Sequence, residues 1–167
     1  MAERYIIYSP LRKEYGTDGC FLCDISLHPE NDTENYVIYR DERCFILMNR
    51  YPYSPGHFMI VPHSHTSMVY ELDPAVWLHI APLISNGIEL LQKGFGAQGV
   101  NMGINQGNAS GVGLSSHLHL HFVPRWKNDT NFMTTVANVR VFSSDFKKIF
   151  MEMKKLAKQY FKNQNKK

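Results

Sequence analysis

The sequence predicts an α+β fold, in which an antiparallel five-stranded sheet is backed by two main helices. Five short segments are rich in β-branched and aromatic residues and are bounded by turn-forming residues, as strands are. Two longer segments repeat apolar residues at helical spacing. The order of elements is therefore β-β-β-α-β-β-α, and its hairpin-length connections favour antiparallel neighbours.

The first three strands follow a segment, residues 1–34, that is predicted to be irregular. In it the turn-rich pieces "YGTDG" and "HPENDTEN" flank a Cys-x-x-Cys pair. Cys44 lies inside an apolar run and is predicted to be a small buried hydrophobe. The three strands are predicted from the runs "YVIYRD", "CFILMN" and "HFMIVP", at residues 36–41, 44–49 and 57–62.

A helix is predicted next, with Asp73 as its N-cap and Pro74 at its first position, where a proline costs nothing. Pro82 lies inside the apolar repeat and predicts either a kink or a later start of the helix, which "GFGAQG" ends. The remaining elements are a strand at 100–106, a Gly- and Ser-rich loop at 107–116, a strand at 117–124 and an amphipathic helix over 143–162.

The composition is that of a globular protein: 44% of the 167 residues are hydrophobic and 20% are charged. This excludes disordered and membrane-spanning classes. We expect one domain over residues 1–167 with its core over 35–136, and a cytoplasmic protein, because the N-terminus lacks the apolar stretch of a secretory signal. The net charge of +3 is concentrated near the C-terminus, where a solvated helix face explains it, so neither a nucleic-acid nor a membrane partner is predicted.

The segment "HLHLHFVPRW" contains three histidines at alternate positions, His117, His119 and His121. Alternate residues of a strand share a face, so the imidazoles are expected on one face and the leucines on the other. The outer two would lie roughly 13 Å apart along a strand, which argues against one metal ion bound by all three. The alternative is a division of roles, in which the central imidazole reacts while its neighbours orient it, bind substrate or serve another site.

The loop before these histidines, "NQGNASGVGLSSH", offers main-chain N–H groups and hydroxyls that suit a phosphate. Together "HLHLHFVP", "CFLC", "CFILMNRYPYSPGHFMIVPHSH" and "GVNMGINQGNASG" resemble, in order and spacing, the histidine triad family of nucleotide hydrolases and transferases. The continuation "PRWKNDTNFM" is similar to the bacterial branch linked to hydrolysis or phosphorolysis of diadenosine polyphosphates. The resemblance extends over roughly residues 18–136.

The resemblance implies a role for each residue that matches the family's motifs. His119 would be the nucleophile that attacks the α-phosphate and forms a nucleotidyl-histidine intermediate. His121 would contact the same phosphate, with His57 as a further histidine beside it. Asn49 matches the position that contacts the ribose, and Gln106 matches a position beside the substrate.

The loop departs from the family's pattern at one position. Many members carry a glutamine just after the Ala-Gly or Ser-Gly of this loop, whereas this chain has "SGVGLSSH". We expect main-chain N–H groups near Gly113, or the hydroxyl of Ser115 or Ser116, to take its place at the phosphates. The departure leaves open whether water or phosphate is the acceptor that attacks the intermediate.

Cys20 and Cys23 allow three interpretations. A redox pair normally lies at a helix N-terminus after a strand, and no such pattern is predicted here. Free thiols are a second interpretation, and a closed Cys₂His₂ zinc site is the third, because "PHSH" offers His63 or His65 and the triad offers His117. In zinc-containing members of the family the metal ligands match Cys20, Cys23, His65 and His117, so the resemblance implies a structural Zn²⁺ bound by these four.

Two functional classes remain. The first is an enzyme that cleaves dinucleoside polyphosphates such as diadenosine tetraphosphate, or related nucleotide conjugates, at the α-phosphate. The alternative is a zinc-stabilised nucleotide-binding or adaptor module with little turnover. Because no cluster of acidic residues accompanies the histidine motif, we expect Mg²⁺ to arrive only with the substrate, if it takes part.

The resemblance also implies a homodimer, and we expect residues 100–106 and the preceding helix to lie at its interface. His28 and His79 are predicted to have surface or interface roles.

Overall fold

A five-stranded antiparallel sheet forms the centre of the computed structural model, which describes residues 19–110, 116–129 and 145–161. The sheet confirms the predicted α+β class, and four strands lie within two residues of their predicted bounds. In chain order the strands are β1 (Val37–Arg40), β2 (Cys44–Met48), β3 (Phe58–Pro62), β4 (Gly99–Ile104) and β5 (Leu120–Arg125). Their order across the sheet is β1-β2-β3-β5-β4, and every neighbouring pair is antiparallel.

Both faces of the sheet are packed, so β2 and β3 are buried along their whole length. One face joins the two long helices in a core that contains Ile46, Met48, Phe58, Ile60, Leu120 and Phe122. The other face packs on the N-terminal helix through Phe45, Leu47, Met59 and Val61. His121 is paired with Met59 across the sheet, and paired residues share a face, so the imidazole lies on the side away from the two long helices. Cys44 is fully buried, as predicted.

The helices are α1 (Phe21–Leu27), α2 (Pro74–Glu89) and α3 (Phe146–Tyr160). The last lies within the predicted range, whose ends at 143–144 and 162 fall outside the described residues. Its N-cap is Asp145, whose carboxylate accepts from two main-chain N–H groups of the first turn. None of the helices in the described part of the chain is long and apolar enough to cross a membrane.

The first helical residues of α2 confirm the predicted start. Asp73 accepts a hydrogen bond from the N–H of Ala75 at 2.8 Å, and Pro74 occupies the first position. The prediction of a later start at Pro82 is wrong, because the helix is continuous through it. Proline removes one hydrogen bond to the residue four positions earlier, and that residue, Leu78, is 72% exposed, so water can satisfy its carbonyl. A π-helical turn, Leu90–Gly94, then ends the helix near "GFGAQG".

The prediction that residues 1–34 are irregular is wrong for the part of them that is described. α1 has only seven residues and no side-chain cap, but it buries Leu22 and Ile25 against the sheet. Tertiary packing of this kind stabilises a helix that its sequence alone would not. Cys20 consequently lies directly before a helix, as the first cysteine of a redox pair normally does. A redox pair is therefore no longer excluded by the lack of a predicted helix after Cys20.

The strand with the histidine motif is shorter at its start than predicted. β5 begins at Leu120, so His117 and His119 lie in an approach that bends before the sheet, and only His121 lies within it. This approach is held by the N–H of Leu118, which donates to the carbonyl of Thr66 at 2.7 Å. The expectation of three evenly spaced imidazoles on one strand face is therefore wrong. The main-chain bend lets neighbouring histidines belong to different clusters.

Candidate active site and metal centre

His119 is held in one orientation by the main chain two residues before it. Its Nδ1 lies 2.8 Å from the carbonyl oxygen of His117, which can only accept, so Nδ1 carries the proton. In a neutral imidazole the lone pair is then on Nε2. Burial lowers the pKa of His119, which is 8% exposed, and keeps that lone pair available at neutral pH. The geometry therefore presents Nε2 as a nucleophile.

His121 and His57 form a hydrogen-bonded pair beside His119. The ring of His121 is 4.8 Å from that of His119 between centroids, and its Nδ1 is 3.0 Å from Nε2 of His57. Nδ1 of His57 accepts from the N–H of Tyr53 at 3.1 Å, so the proton of neutral His57 is on Nε2 and is donated to His121. This leaves the proton of neutral His121 on its own Nε2. This series of hydrogen bonds thus ends at the Nε2–H group of His121, whose ring lies beside that of His119.

The pKa of His121 lies at about 4, well below the ordinary value of an imidazole. Burial is the main cause, and the nearby ring of His119 adds to it. His57 is fully buried, immediately before β3. At neutral pH the site therefore holds an uncharged His121 that can donate from Nε2.

A second cluster contains Cys20, Cys23, His65 and His117, whose ligand atoms all lie within 4.8 Å of one another. Nδ1 of His117 is 3.4 Å from each of the two sulfurs, and Nδ1 of His65 is 3.0 Å from Sγ of Cys23. The N–H at Nε2 of His117 donates to the carbonyl of Pro62 at 2.9 Å, which leaves Nδ1 unprotonated toward the sulfurs. A carbonyl partner of this kind is typical of a metal-bound histidine.

The arrangement fits a closed tetrahedral zinc site. With Zn–S bonds of about 2.3 Å and Zn–N bonds of about 2.1 Å, tetrahedral ligand atoms lie roughly 3.4–3.8 Å apart. Three of the separations, at 3.0–3.4 Å, are at or slightly below that range, and all four ligand atoms lie within 4.8 Å of one another, so modest shifts of the side chains would let them bind one ion. His63 is excluded from the cluster, because its two ring nitrogens bond to Ser26 Oγ and the carbonyl of Asp41.

Three of the predicted substrate-binding residues, Asn49, Gln106 and Ser116, have described positions near these clusters. Asn49 follows β2, and its N–H donates to the carbonyl of His57 at 2.9 Å, which places it directly beside the His57–His121 pair. The amide of Gln106 donates to Sδ of Met68 at 3.4 Å. Met68 and Ser116 line one pocket of about 530 Å³, which the metal-cluster residue His65 also borders. Gly113 and Ser115 lie outside the described residues.

A hydrogen-bonded cluster around the carboxylate of Asp41 was not anticipated from the sequence. The carboxylate of Asp41 accepts from Nε2 of His79 at 2.8 Å and from the hydroxyl of Tyr39 at 2.9 Å, as well as from two main-chain N–H groups. Burial alone would raise the pKa of this carboxyl, but these hydrogen bonds outweigh it and lower the pKa. The prediction of a surface or interface role for His79 is therefore wrong, whereas His28 does lie on the surface, beside Glu30.

Comparisons with known proteins find relatives of this chain in sequence and in fold. The family model described as "HIT domain" matches residues 30–128. An "AP-4-A phosphorylase" of Mycobacterium tuberculosis is 29% identical over 138 residues, which cover 82% of this chain and 71% of that protein. A bis(5'-nucleosyl)-tetraphosphatase (asymmetrical) of Schizosaccharomyces pombe is 28% identical over 93 residues, 56% of this chain and 50% of that protein. The crystal structure of a Zn-bound histidine triad family protein from Mycobacterium smegmatis superposes with a TM-score of 0.67 at 25% identity, covering 84% of this chain and 94% of that one.

Proposed function

The chain belongs to the HIT domain family of nucleotide hydrolases and transferases, and from this premise we propose that it cleaves dinucleoside polyphosphates at the α-phosphate through a nucleotidyl-histidine intermediate. The observation that carries the proposal is the hydrogen bond from Nδ1 of His119 to the carbonyl of His117. It leaves the lone pair on Nε2, in a buried site, beside a neighbouring imidazole that can donate. The similarity to a phosphorylase and a tetraphosphatase supports this substrate class.

The first step forms a P–N bond and breaks a phosphoanhydride bond. Nε2 of His119 attacks the α-phosphorus of diadenosine tetraphosphate, and ATP leaves with the electron pair of the cleaved P–O bond. His121 donates its Nε2–H to a phosphoryl oxygen and stabilises the charge that develops there. His57 keeps that donor in place by donating to Nδ1 of His121. Proton positions on all three rings are thus set before the substrate binds.

The second step transfers the adenylyl group from His119 to an acceptor. Water as acceptor gives AMP, and inorganic phosphate as acceptor gives ADP, with His119 regenerated in both cases. Asn49, Gln106 and Ser116 are proposed to bind the ribose and the phosphates, and Gly113 and Ser115 are proposed to contribute as well. The binding energy of these groups would orient the α-phosphate for in-line attack.

One assay tests both the reaction and its acceptor. The protein is incubated with diadenosine tetraphosphate, with and without inorganic phosphate, and the products are separated. ADP and ATP that appear only with phosphate would identify a phosphorylase, and AMP and ATP without phosphate would identify a hydrolase. Two molecules of ADP without phosphate would contradict attack at the α-phosphate.

A matched pair of histidine variants tests the nucleophile. His119→Ala is expected to lose turnover and the labelled protein that wild type forms with substrate radioactive at the α-phosphate. His28→Ala removes an exposed histidine that pairs with Glu30, and it is expected to retain both. Tight nucleotide binding by wild type with no turnover of any dinucleotide would favour the binding or adaptor module instead.

The four-residue cluster is proposed to bind a structural Zn²⁺ through two sulfurs and two Nδ1 atoms. The support is the ligand set, the separations and the orientation of His117 by the Pro62 carbonyl. Metal analysis is expected to find one zinc per chain in wild type and in His63→Gln, and none in Cys23→Ser. Equal zinc content in all three proteins would contradict the assignment.

A homodimer is proposed to form along β4. This strand is at an edge of the sheet, and its central residues Asn101, Met102 and Gly103 are exposed, with Met102 50% exposed. An exposed edge with an apolar side chain is a template for pairing with a second strand. Light scattering is expected to give twice the chain mass for wild type and a lower mass for Met102→Lys, and a monomeric wild type would refute the proposal.

A further inference from the structure

Tyr53 lies against the two histidines that flank the nucleophile. Its ring stacks on that of His57, with centroids 4.9 Å apart and planes 22° from parallel. The same ring is 6.1 Å from that of His121. Its main-chain N–H donates to Nδ1 of His57 at 3.1 Å. One residue thus contacts both the edge and the face of the same buried imidazole.

We propose that Tyr53 is a positioning residue for the reaction: its N–H selects the tautomer of His57, and its ring holds and covers the His57–His121 pair so that His121 presents Nε2–H to the phosphate. The inference rests on the proposed function for the identity of the substrate. The tautomers and the covering ring are properties of the protein alone. Tyr53 acts through its neighbours and is not placed in contact with the reacting atoms.

The connection that carries Tyr53 is anchored directly after that residue. Tyr53 lies in "YPYSPGH", where the N–H of His57 donates to the carbonyl of Ser54 at 3.1 Å. The hydroxyl of Ser54, a residue that is 8% exposed, donates to the carbonyl of Pro124 on β5 at 2.7 Å. Gly56 takes a φ of +83°, which favours glycine. The ring of Tyr53 is therefore placed by a turn that is tied to the strand of His121.

The ring is positioned to separate the histidine pair from water. His57 is fully buried while Tyr53 is 49% exposed, so one part of the aromatic surface covers the imidazoles and the remainder faces outward. Withdrawal from water favours the neutral form of an imidazole. This agrees with the pKa of about 4 for His121, whose main cause is burial. Loss of the ring would admit water and move that pKa toward its ordinary range.

The residues around His121 allow a change in its pKa to be attributed to loss of the Tyr53 ring. Its partners across the sheet, Met59 and Gly103, do not titrate. In the described part of the chain, the titratable side chains whose rings contact it are His57, His119 and the phenol of Tyr53. A shift in the titration of His121 after removal of the phenol ring can therefore be assigned to hydration of the His57–His121 pair. The variant His57→Gln shows how far the titration of His121 depends on the neighbouring imidazole.

The test uses Tyr53→Leu, with Tyr53→Phe and Tyr51→Leu as matched controls. Long-range ¹⁵N–¹H spectra report which nitrogen of each imidazole is protonated and at what pH it titrates. In Tyr53→Leu the N–H of residue 53 remains, so His57 is expected to keep its Nε2–H tautomer. The midpoint of His121 is expected to rise from about 4 toward 6.5. Tyr53→Phe keeps the stacked ring, and Tyr51→Leu changes an exposed tyrosine of the same turn, so both are expected to keep the wild-type midpoint.

Kinetics with diadenosine tetraphosphate give the second measurement. In Tyr53→Leu, kcat is expected to fall about 2- to 12-fold with KM nearly unchanged, the range that loss of a typical aromatic stack gives. A wild-type titration of both imidazoles in Tyr53→Leu would overturn the proposal, as would wild-type His57 protonated on Nδ1. A rise in KM alone would mean that the ring binds substrate instead. If wild type turns over no nucleotide but the spectra change as described, the proposed function fails and the positioning role of Tyr53 stands.

Discussion

Removal of the metal from the proposed Cys₂His₂ site is expected to slow the reaction without abolishing it. The reason is that His117 takes part in both clusters. Its Nδ1 faces the two cysteine sulfurs, while its carbonyl accepts the hydrogen bond that fixes the tautomer of His119. An ion bound to Nδ1 would hold that carbonyl in place. Its loss would weaken a hydrogen bond whose net worth is about 0.5–1.5 kcal/mol.

The expected magnitude follows from that hydrogen bond. A change of about 0.5–1.5 kcal/mol in the preference for the Nδ1–H form of His119 corresponds to roughly a 2- to 12-fold lower ratio of that tautomer to the other at 25 °C. The productive fraction cannot fall by more than that ratio, so we expect kcat to fall by at most about 12-fold after chelation and to recover when zinc is restored. The loss is far smaller than in His119→Ala, in which the nucleophile itself is absent.

The assay compares wild type before chelation, after chelation and after reconstitution with zinc. Zinc content, circular dichroism, kcat and the ¹⁵N spectrum of His119 are measured on the same samples. Cys23→Ser is expected to resemble the chelated protein, and His63→Gln is expected to resemble wild type, because His63 does not face the cluster. A folded, zinc-free protein with unchanged kcat would refute the coupling through His117. A loss of a thousandfold or more in a folded protein would show that the metal takes part in the chemistry.

Three further predictions concern stability. Asp41→Ala removes a buried carboxylate that accepts four hydrogen bonds from N–H and O–H groups, and urea unfolding is expected to show a loss of about 3–5 kcal/mol; a loss below about 1 kcal/mol would contradict a paired buried charge. Gly56→Ala is expected to lower the free energy of unfolding by about 2 kcal/mol or more, because φ is +83° and a Cβ would lie 2.6 Å from the ring of Phe95. Gly99→Ala is the control for the effect of any added methyl group, because its Cβ would meet nothing closer than 3.7 Å. The folded-state pKa of His121 is lowered to about 4, so the unfolded chain binds more protons between about pH 6.5 and 4 and stability falls as the pH falls through that window; equal unfolding midpoints for wild type and His121→Gln at pH 7 and again at pH 4.5 would contradict this.

Local periodicity was sufficient for most of the fold. Strands such as β2 and β3 alternate or run apolar over five residues between strong turn signals, and Asp73-Pro74 marks a helix start with two independent preferences. The failures concern elements that depend on distant contacts. α1 is too short to be stable by itself and exists because Leu22 and Ile25 pack on the sheet.

The start of β5 shows a related limit. The alternation in "HLHLH" predicts a strand, yet the residues before Leu120 form other hydrogen bonds. The N–H of Leu118 donates to the carbonyl of Thr66, and the side chain of His117 donates to the carbonyl of Pro62. These partners lie 52 to 55 positions away, and no local pattern contains them.

The candidate site was predictable as a set of residues but not as a set of contacts. The resemblance to the histidine triad family predicts that His57, His119 and His121 gather, and the structure does bring them together. Tyr53 was missed, although it stands four residues before His57 in a Pro- and Gly-rich turn, because a tyrosine in a loop has no distinctive spacing. His79 was missed because its partner, Asp41, is 38 positions earlier.

The groups that orient the three proposed catalytic histidines explain how the site can keep the proposed nucleophile, His119, neutral. The carbonyl of His117 orients His119, the N–H of Tyr53 orients His57, and the imidazole of His57 orients His121. Each of these orienting groups is uncharged. A carboxylate in the same place would fix a tautomer equally well but would favour the protonated ring, which has no lone pair on either nitrogen. His79, beside Asp41, has such a carboxylate partner and lies outside the site. Uncharged groups therefore supply orientation without favouring the protonated ring, and this leaves His119 both fixed in orientation and unprotonated at neutral pH, as the proposed nucleophile must be.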